Sequence, residues 1–167
     1  MKIQTDWLGG VVQVGVVVED IEKTCANLEK IFGIGPWEIR DWPPRQDMRR
    51  WYMGQKTLCT ARMAFCLVGT VELEIIQPLE GSSIWRDFLK EKGEGIHHIR
   101  FNVEDEKAVQ AHLQEEHGIG VLQHGDGIRP GTVWMNFDTI DSVGFVLEIM
   151  RQVPGTDGLT PKCEADT

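Results

Sequence analysis

One stretch of the sequence occurs twice. Val12 to Asp20 reads Val-Gln-Val-Gly-Val-Val-Val-Glu-Asp, and His97 to Asp105 reads His-His-Ile-Arg-Phe-Asn-Val-Glu-Asp. Laying Gln13 on His98, a shift of 85 residues, keeps register through the next segment. Val18, Glu19, Asp20, Ala26, Leu28, Gly33, Ile34 and Gly35 then fall on Val103, Glu104, Asp105, Ala111, Leu113, Gly118, Ile119 and Gly120. Each copy closes on a similar apolar run, Val71 to Ile76 and Phe145 to Ile149, which puts Glu74 opposite Glu148. Two copies of one hydrophobic pattern bury the same faces, so the chain is expected to fold as a duplicated module.

The elements of each copy follow from local signals. Val11 to Val18 is a β-branched run, and Asp20 can cap a helix over residues 21–32 that Gly33 and Gly35 stop. Strands are expected at 37–42, 61–67 and 71–76, with a Pro- and Arg-rich loop over 43–50. A short amphipathic helix over 84–92 carries Ile84, Trp85, Phe88 and Leu89 at helical spacing, read as packing residues. The second half repeats the order with a strand at 96–103, a helix at 106–116 and strands near 121, 132–137 and 145–150. Both halves are therefore βαβββ and the fold class is α+β. The expected divisions are a first module over 1–83, a linker helix over 84–95, a second module over 96–151 and a loose tail over 152–167, with the two modules forming one domain.

Composition narrows the partners. A formal charge of −9 disfavours nucleic acid and anionic membranes, whose recognition needs clustered Lys and Arg. No run approaches a membrane span or a signal peptide, so a cytoplasmic protein is expected. Cys25, Cys59, Cys66 and Cys163 form no CxxC pair and are read as reduced thiols without a metal role.

Strand alternation sets which side chains share a face. Val12, Val14, Val16 and Val18 meet the helices, which leaves Gln13 and Gly15 on the opposite side. His98 faces with Arg100 and Asn102, while Glu74 and Glu148 oppose their apolar neighbours. Gln13, Glu74, His98 and Glu148 thus leave the hydrophobic layer together and converge if the sheet curls. One amide, one imidazole and two carboxylates suit a divalent cation such as Zn, Co, Ni or Mn. His97 points the other way and is expected to be structural.

These residues resemble the vicinal oxygen chelate superfamily, the glyoxalase, bleomycin resistance and dioxygenase group. The resemblance covers residues 11–150. Val71 to Leu79, Gly95-Ile96-His97-His98-Ile99 and Val146-Leu147-Glu148 look most like methylmalonyl-CoA epimerases. It implies two tandem βαβββ modules in a cupped mixed sheet with helices on the outer face, around one metal held by Gln13, Glu74, His98 and Glu148. The epimerases have a His at the Gln13 position and a glutamate base near Met63. A Gln, Glu, His, Glu set is instead similar to that of the eukaryotic type of glyoxalase I.

The activity expected is a metal-dependent isomerase or epimerase that removes a proton next to a carbonyl, with a CoA thioester among the candidate substrates. A glyoxalase I-like lyase acting on a thiol-oxoaldehyde adduct and a non-catalytic small-molecule binding protein are the alternatives. Glu148 is the expected base, as its counterpart is in the glyoxalases, and Glu72 is a second carboxylate on the face of Glu74. Arg100 and Asn102 are candidate substrate contacts beside His98. Arg129, in the glycine-rich segment 125–131, is another for a phosphate or carboxylate. Arg45, Arg49 and Arg50 could hold a thioester tail. A symmetric homodimer is the expected assembly.

Overall fold

The structure, a computed structural model, describes residues 8–156 and 160. Its ten described strands form one mixed sheet, built from two four-stranded units of the same order. In the first, β1 (Val11–Val17) runs parallel to β6 (Val71–Pro78), followed outward by β5 (Ala61–Val68) and β2 (Glu38–Trp42). In the second, β7 (Gly95–Val103) runs parallel to β10 (Val146–Arg151), followed by β9 (Val133–Phe137) and β8 (Val121–Asp126).

The units meet where β1 pairs antiparallel with β7, aligning Gln13 with Arg100 and Gly15 with His98. The repeat register exchanges these two pairs, which is the signature of a local two-fold axis between the strands. Glu72 and Glu74 of β6 lie beside Gln13 and Gly15, and Val146 and Glu148 of β10 lie beside His98 and Arg100. The four repeat-matched polar residues therefore reach the middle of the sheet.

Helices α1 (Ile21–Phe32) and α3 (Glu106–His117) pack on the outer face. Asp20 accepts from the Lys23 amide, and Asp105 accepts from the Lys107 and Ala108 amides. Such caps contribute about 1 kcal/mol each. Gly33 and Gly118 end the two helices at φ 68° and 67°, where a side chain would be strained. Outer-face packing then forms two small cores: Val18, Ile21, Cys25, Ala64 and Ile75, and Val103, Val109, Leu113, Phe137 and Ile149.

The inner face differs from the sequence reading in being largely apolar. Val17, Met63, Ile76, Trp134 and Val146 join Trp42 and Trp85 in a third core. Helix α2 (Ile84–Lys92) supplies Trp85 to this interior, while Phe88 packs edge-on against His97 at 5.1 Å. A fourth, short helix, α4 (Ile140–Val143), has no repeat counterpart.

The expected loop over 43–50 instead leads into two further strands, β3 (Arg50–Tyr52) and β4 (Gln55–Lys56). β3 pairs with β8, so the connection from β2 crosses from one end of the curled sheet to the other. Arg49 clamps Asp126 of β8 through two side-chain bonds of 3.0 Å and a backbone amide bond of 2.8 Å. Arg45 donates to the Ile128 carbonyl at 2.8 Å, and buried Arg50 donates to the Met48 carbonyl and lies over the Trp42 ring. These arginines close the cup. Among the described residues, no helix is long and apolar enough to cross a membrane.

Tyr52 ties this crossing to α2 by donating its hydroxyl to Asp87 at 2.5 Å. That bond, aided by burial and the negative charge of Asp87, pushes the phenol up to about 12. Its folded value lies above the usual ~10, so its contribution is complete below that pH and is lost as pH rises through about 12. The sequence holds a single tyrosine, and an ultraviolet phenolate titration of the folded protein therefore reads Tyr52 alone. The midpoint is expected near about 12, falling towards the ordinary value in Asp87→Asn; an ordinary midpoint in the wild type counts against the contact.

Candidate metal centre

The centre of the inner face is organised around one atom, Nε2 of His98. Glu74 Oε2 lies 3.2 Å from it, Gln13 Oε1 3.3 Å and Glu148 Oε2 3.7 Å. All four side chains are buried, and Gln13 and His98 are fully enclosed. The structure thus brings the repeat-matched set together, with the carboxylates of both halves against one imidazole.

Backbone geometry makes room for this. A Cβ placed on Gly15 would stand 2.0 Å from His98 Cε1, so any other residue there would collide with the imidazole. His97 fixes the ring from behind, its Nδ1 lying 3.0 Å from Nδ1 of His98. Burial, together with the charge of His98, lowers the His97 pKa well below the usual histidine range and keeps its ring neutral. His98 can then donate from Nδ1 to His97 and turn Nε2 towards the carboxylates.

Electrostatics at this point call for positive charge. Burial lowers the proton affinity of His98, but the charges of Glu148 and Glu74 and the Glu74 contact outweigh it, and its pKa rises. Burial raises Glu148 in turn; Glu74 adds to the rise, while His98, Arg100 and the Asn136 bond oppose it. Asn136, fully buried on β9, donates to Glu148 Oε2 at 2.9 Å.

Glu72 has a different set of neighbours. It accepts from Gln13 Nε2 at 2.6 Å, from Arg100 at 3.4 Å and from the Thr160 hydroxyl at 2.7 Å. The bond to Gln13 holds that amide with its oxygen towards His98.

Among the described residues, no three His, Cys, Asp or Glu side chains form a ready metal cage. The donor spacing nevertheless fits a divalent ion. Ligands about 2.1 Å from a shared ion stand about 3.0 Å apart at a right angle and about 3.4 Å apart at the tetrahedral angle. From His98 Nε2, Glu74 at 3.2 Å and Gln13 at 3.3 Å fall between these values, and Glu148 at 3.7 Å lies beyond them.

A cavity of about 50 Å³ lies over Glu74 and Glu148. Arg100 and Arg129 line it, together with Trp42, Trp85 and Trp134. Asn102 does not line it. At the end of β7 it lies beyond the cup and accepts from Gln152 Nε2 at 2.9 Å. Most of the expected tail lies outside the described residues, but Thr160 reaches the cavity wall.

The sequence reading passed over Asn136, the tryptophan wall and Thr160. Asn136 could have been found as the antiparallel partner of Glu148 once β9 and β10 were paired. Trp42 and Trp134 carried no signal beyond apolar strand residues, and the contact of Thr160 spans 88 residues to Glu72.

Residues 12–136 match the model of the Glyoxalase/Bleomycin resistance protein/Dioxygenase superfamily. The uncharacterized protein YqjC of Bacillus subtilis is 49% identical over 39 residues, a stretch covering 23% of this chain and 28% of that protein. Among solved structures, methylmalonyl-CoA epimerase from Mycobacterium tuberculosis superposes with a TM-score of 0.64 at 20% identity, covering 91% of this chain and 93% of that one. The Streptomyces coelicolor epimerase, in complex with 2-nitronate-propionyl-CoA, gives 0.63 at 20% identity, covering 86% and 96%. The hypothetical protein BH1468 of Bacillus halodurans gives 0.64 at 17% identity, covering 88% and 96%. At these identities the structures establish likeness of fold, and with the family match over most of the sequence they place the chain in the Glyoxalase/Bleomycin resistance protein/Dioxygenase superfamily.

Proposed function

We propose that the chain is a metal-dependent isomerase or epimerase that abstracts a proton next to a carbonyl. The observation that carries this reading is the convergence of Gln13, Glu74 and Glu148 on Nε2 of His98, at 3.2 to 3.7 Å, beneath an open cavity. Gln13, Glu74, His98 and Glu148 would hold one divalent ion, Zn, Co, Ni or Mn, which supplies a Lewis acid for negative charge developing on a substrate oxygen.

The chain's own residues supply the proton chemistry. Glu148 lines the cavity, and burial raises its proton affinity towards the range in which a carboxylate can take a proton and return it. Asn136 holds its Oε2, which fixes the direction of the carboxylate. Glu72 is committed to Gln13, Arg100 and Thr160, an arrangement that suits an orienting role better than that of a base. Arg100 and Arg129 are cations in the cavity lining that would face a substrate oxygen. Asn102, outside the cavity, has no part in this reading.

The substrate on this reading is a small oxo- or hydroxyacyl compound, and a CoA thioester is one form it can take, as in the complex of the Streptomyces coelicolor enzyme. Gln13 supports a second reading, a glyoxalase I-like lyase on a thiol-oxoaldehyde adduct, because it gives the same Gln, Glu, His, Glu donor set. A substrate panel separates the two, and absence of proton exchange with every member would leave a binding protein. The reading includes a cytoplasmic homodimer, and a monomer by light scattering would count against that assembly.

Two variants test the assignment. Glu74→Gln removes one neutralising charge while keeping the shape, so it should fold and bind Mn²⁺ at least about tenfold more weakly by calorimetry; unchanged affinity would remove Glu74 from the set. Glu148→Gln keeps an oxygen ligand but cannot take a proton. With saturating metal it should lose about a hundredfold or more in solvent deuterium exchange into substrate. Glu72→Gln should retain most exchange under the same conditions, with weaker metal binding as its main defect. The opposite ranking would make Glu72 the base.

A further inference from the structure

Of the four side chains that meet at His98 Nε2, Gln13 is the one whose two ends differ in chemistry but hardly in shape. Its amide carries an acceptor oxygen at one end and an NH₂ donor at the other, and only the oxygen can serve a cation or an imidazole N–H. Oε1 lies 3.3 Å from His98 Nε2, and Nε2 donates to Glu72 Oε1 at 2.6 Å. A carboxylate accepts, so Glu72 takes the NH₂ end and thereby aims the oxygen at His98.

The duplication does not supply this anchor. Glu72 stands beside Gln13 across the parallel β1 and β6 pair, whereas the matching place in the second half, beside His98, is held by Val146. His98 is braced by His97 instead.

What holds Glu72 comes from far along the chain. Thr160, 88 residues away, touches both carboxylate oxygens: its hydroxyl donates to Oε1 at 2.7 Å and its backbone N–H donates to Oε2 at 3.2 Å. Arg100 adds a longer contact of 3.4 Å to Oε1, the oxygen that Gln13 already shares. Contacts to one oxygen leave a carboxylate able to turn about it, and donors from one residue onto both oxygens fix its plane. Glu72 is buried, so an oxygen that loses a donor there is costly to leave unpaired and the carboxylate turns to seek another. The Gln13 amide turns with it.

We propose that Thr160 is a positioning residue: by clamping Glu72 it fixes the Gln13 amide with its oxygen towards His98, and through that amide it sets the affinity of the centre for its metal. That Gln13 meets a metal rests on the functional reading above; the chain of hydrogen bonds from Thr160 to Gln13 does not.

The test uses the full chain with Thr160→Val, which keeps the shape and removes the hydroxyl, and Thr160→Ser, which restores it. Without metal, the Gln13 side-chain amide is followed by NMR, its signals identified by their loss in Gln13→Glu. Thr160→Val should move the Nε2 proton signals and speed their exchange with solvent about tenfold, the scale of one hydrogen bond. Thr160→Ser should return both to the wild-type values. Wild-type signals and exchange in Thr160→Val would overturn the proposal, and so would an equal change in both variants, since the hydroxyl would then not be what matters. Calorimetry reads the second step: Mn²⁺ should bind Thr160→Val about tenfold more weakly than wild type, the lower end of what the outer partners of a ligand contribute, and Thr160→Ser within about twofold of it. Unchanged Mn²⁺ affinity beside a disturbed Gln13 amide would overturn the link to the metal. A wild type that binds no Mn²⁺ counts against the functional reading, and the metal-free NMR comparison still decides whether Thr160 holds Gln13.

Discussion

The structure depends on an electrostatic debt at the junction of β1 and β7. Glu74 and Glu148 come from opposite halves and are buried beside one imidazole. Arg100 answers Glu72, so these two carboxylates remain to be neutralised. A proton on His98 supplies one positive charge, and the raised proton affinity of both His98 and Glu148 is the response expected where one such charge falls short of two. A divalent ion would match the deficit. Carboxylates this close would otherwise favour pulling the halves apart, so the site and the sheet junction are one problem in stability.

Register is what allows the junction to exist. A slip of β1 by one residue against β7 would turn Gln13 away from the cup and bring Val14 in, while His98 and Arg100 stayed facing inward. It would also move Gly15 from beneath His98 and replace an absent side chain with a clash. The local two-fold axis makes the same demand of both halves, because the pair Gln13 with Arg100 maps onto His98 with Gly15.

Most of that junction was legible in the sequence because duplication supplies an internal comparison. Gln13 alone carries no information, but its repeat position on His98 does, and strand alternation gives the facing. What could not be read depends on contacts that no repeat or period encodes. The crossing of residues 43–49 to β8 is fixed by Arg49 with Asp126 and Arg45 with the Ile128 carbonyl, contacts 77 and 83 residues apart in the chain. The inner wall was missed for another reason. Trp42, Met63 and Trp134 look the same in the sequence whether they face a helix or a cavity, and only the closing of the cup decides between the two.

Divergence between the halves suits a division of labour. Glu72, which holds the Gln13 amide, has Val146 as its repeat counterpart, while Asn136, which holds Glu148, stands opposite it as Phe65 stands opposite Glu74. The first half therefore orients a neutral amide with a carboxylate, and the second half orients a carboxylate with a neutral amide. Glu72 accepts from the Gln13 amide, from Arg100 and from both the hydroxyl and the backbone amide of Thr160, whereas Glu148 has one amide donor and burial that raises its proton affinity. On the proposed reading, that difference in partners assigns proton transfer to Glu148 and the orienting role to Glu72.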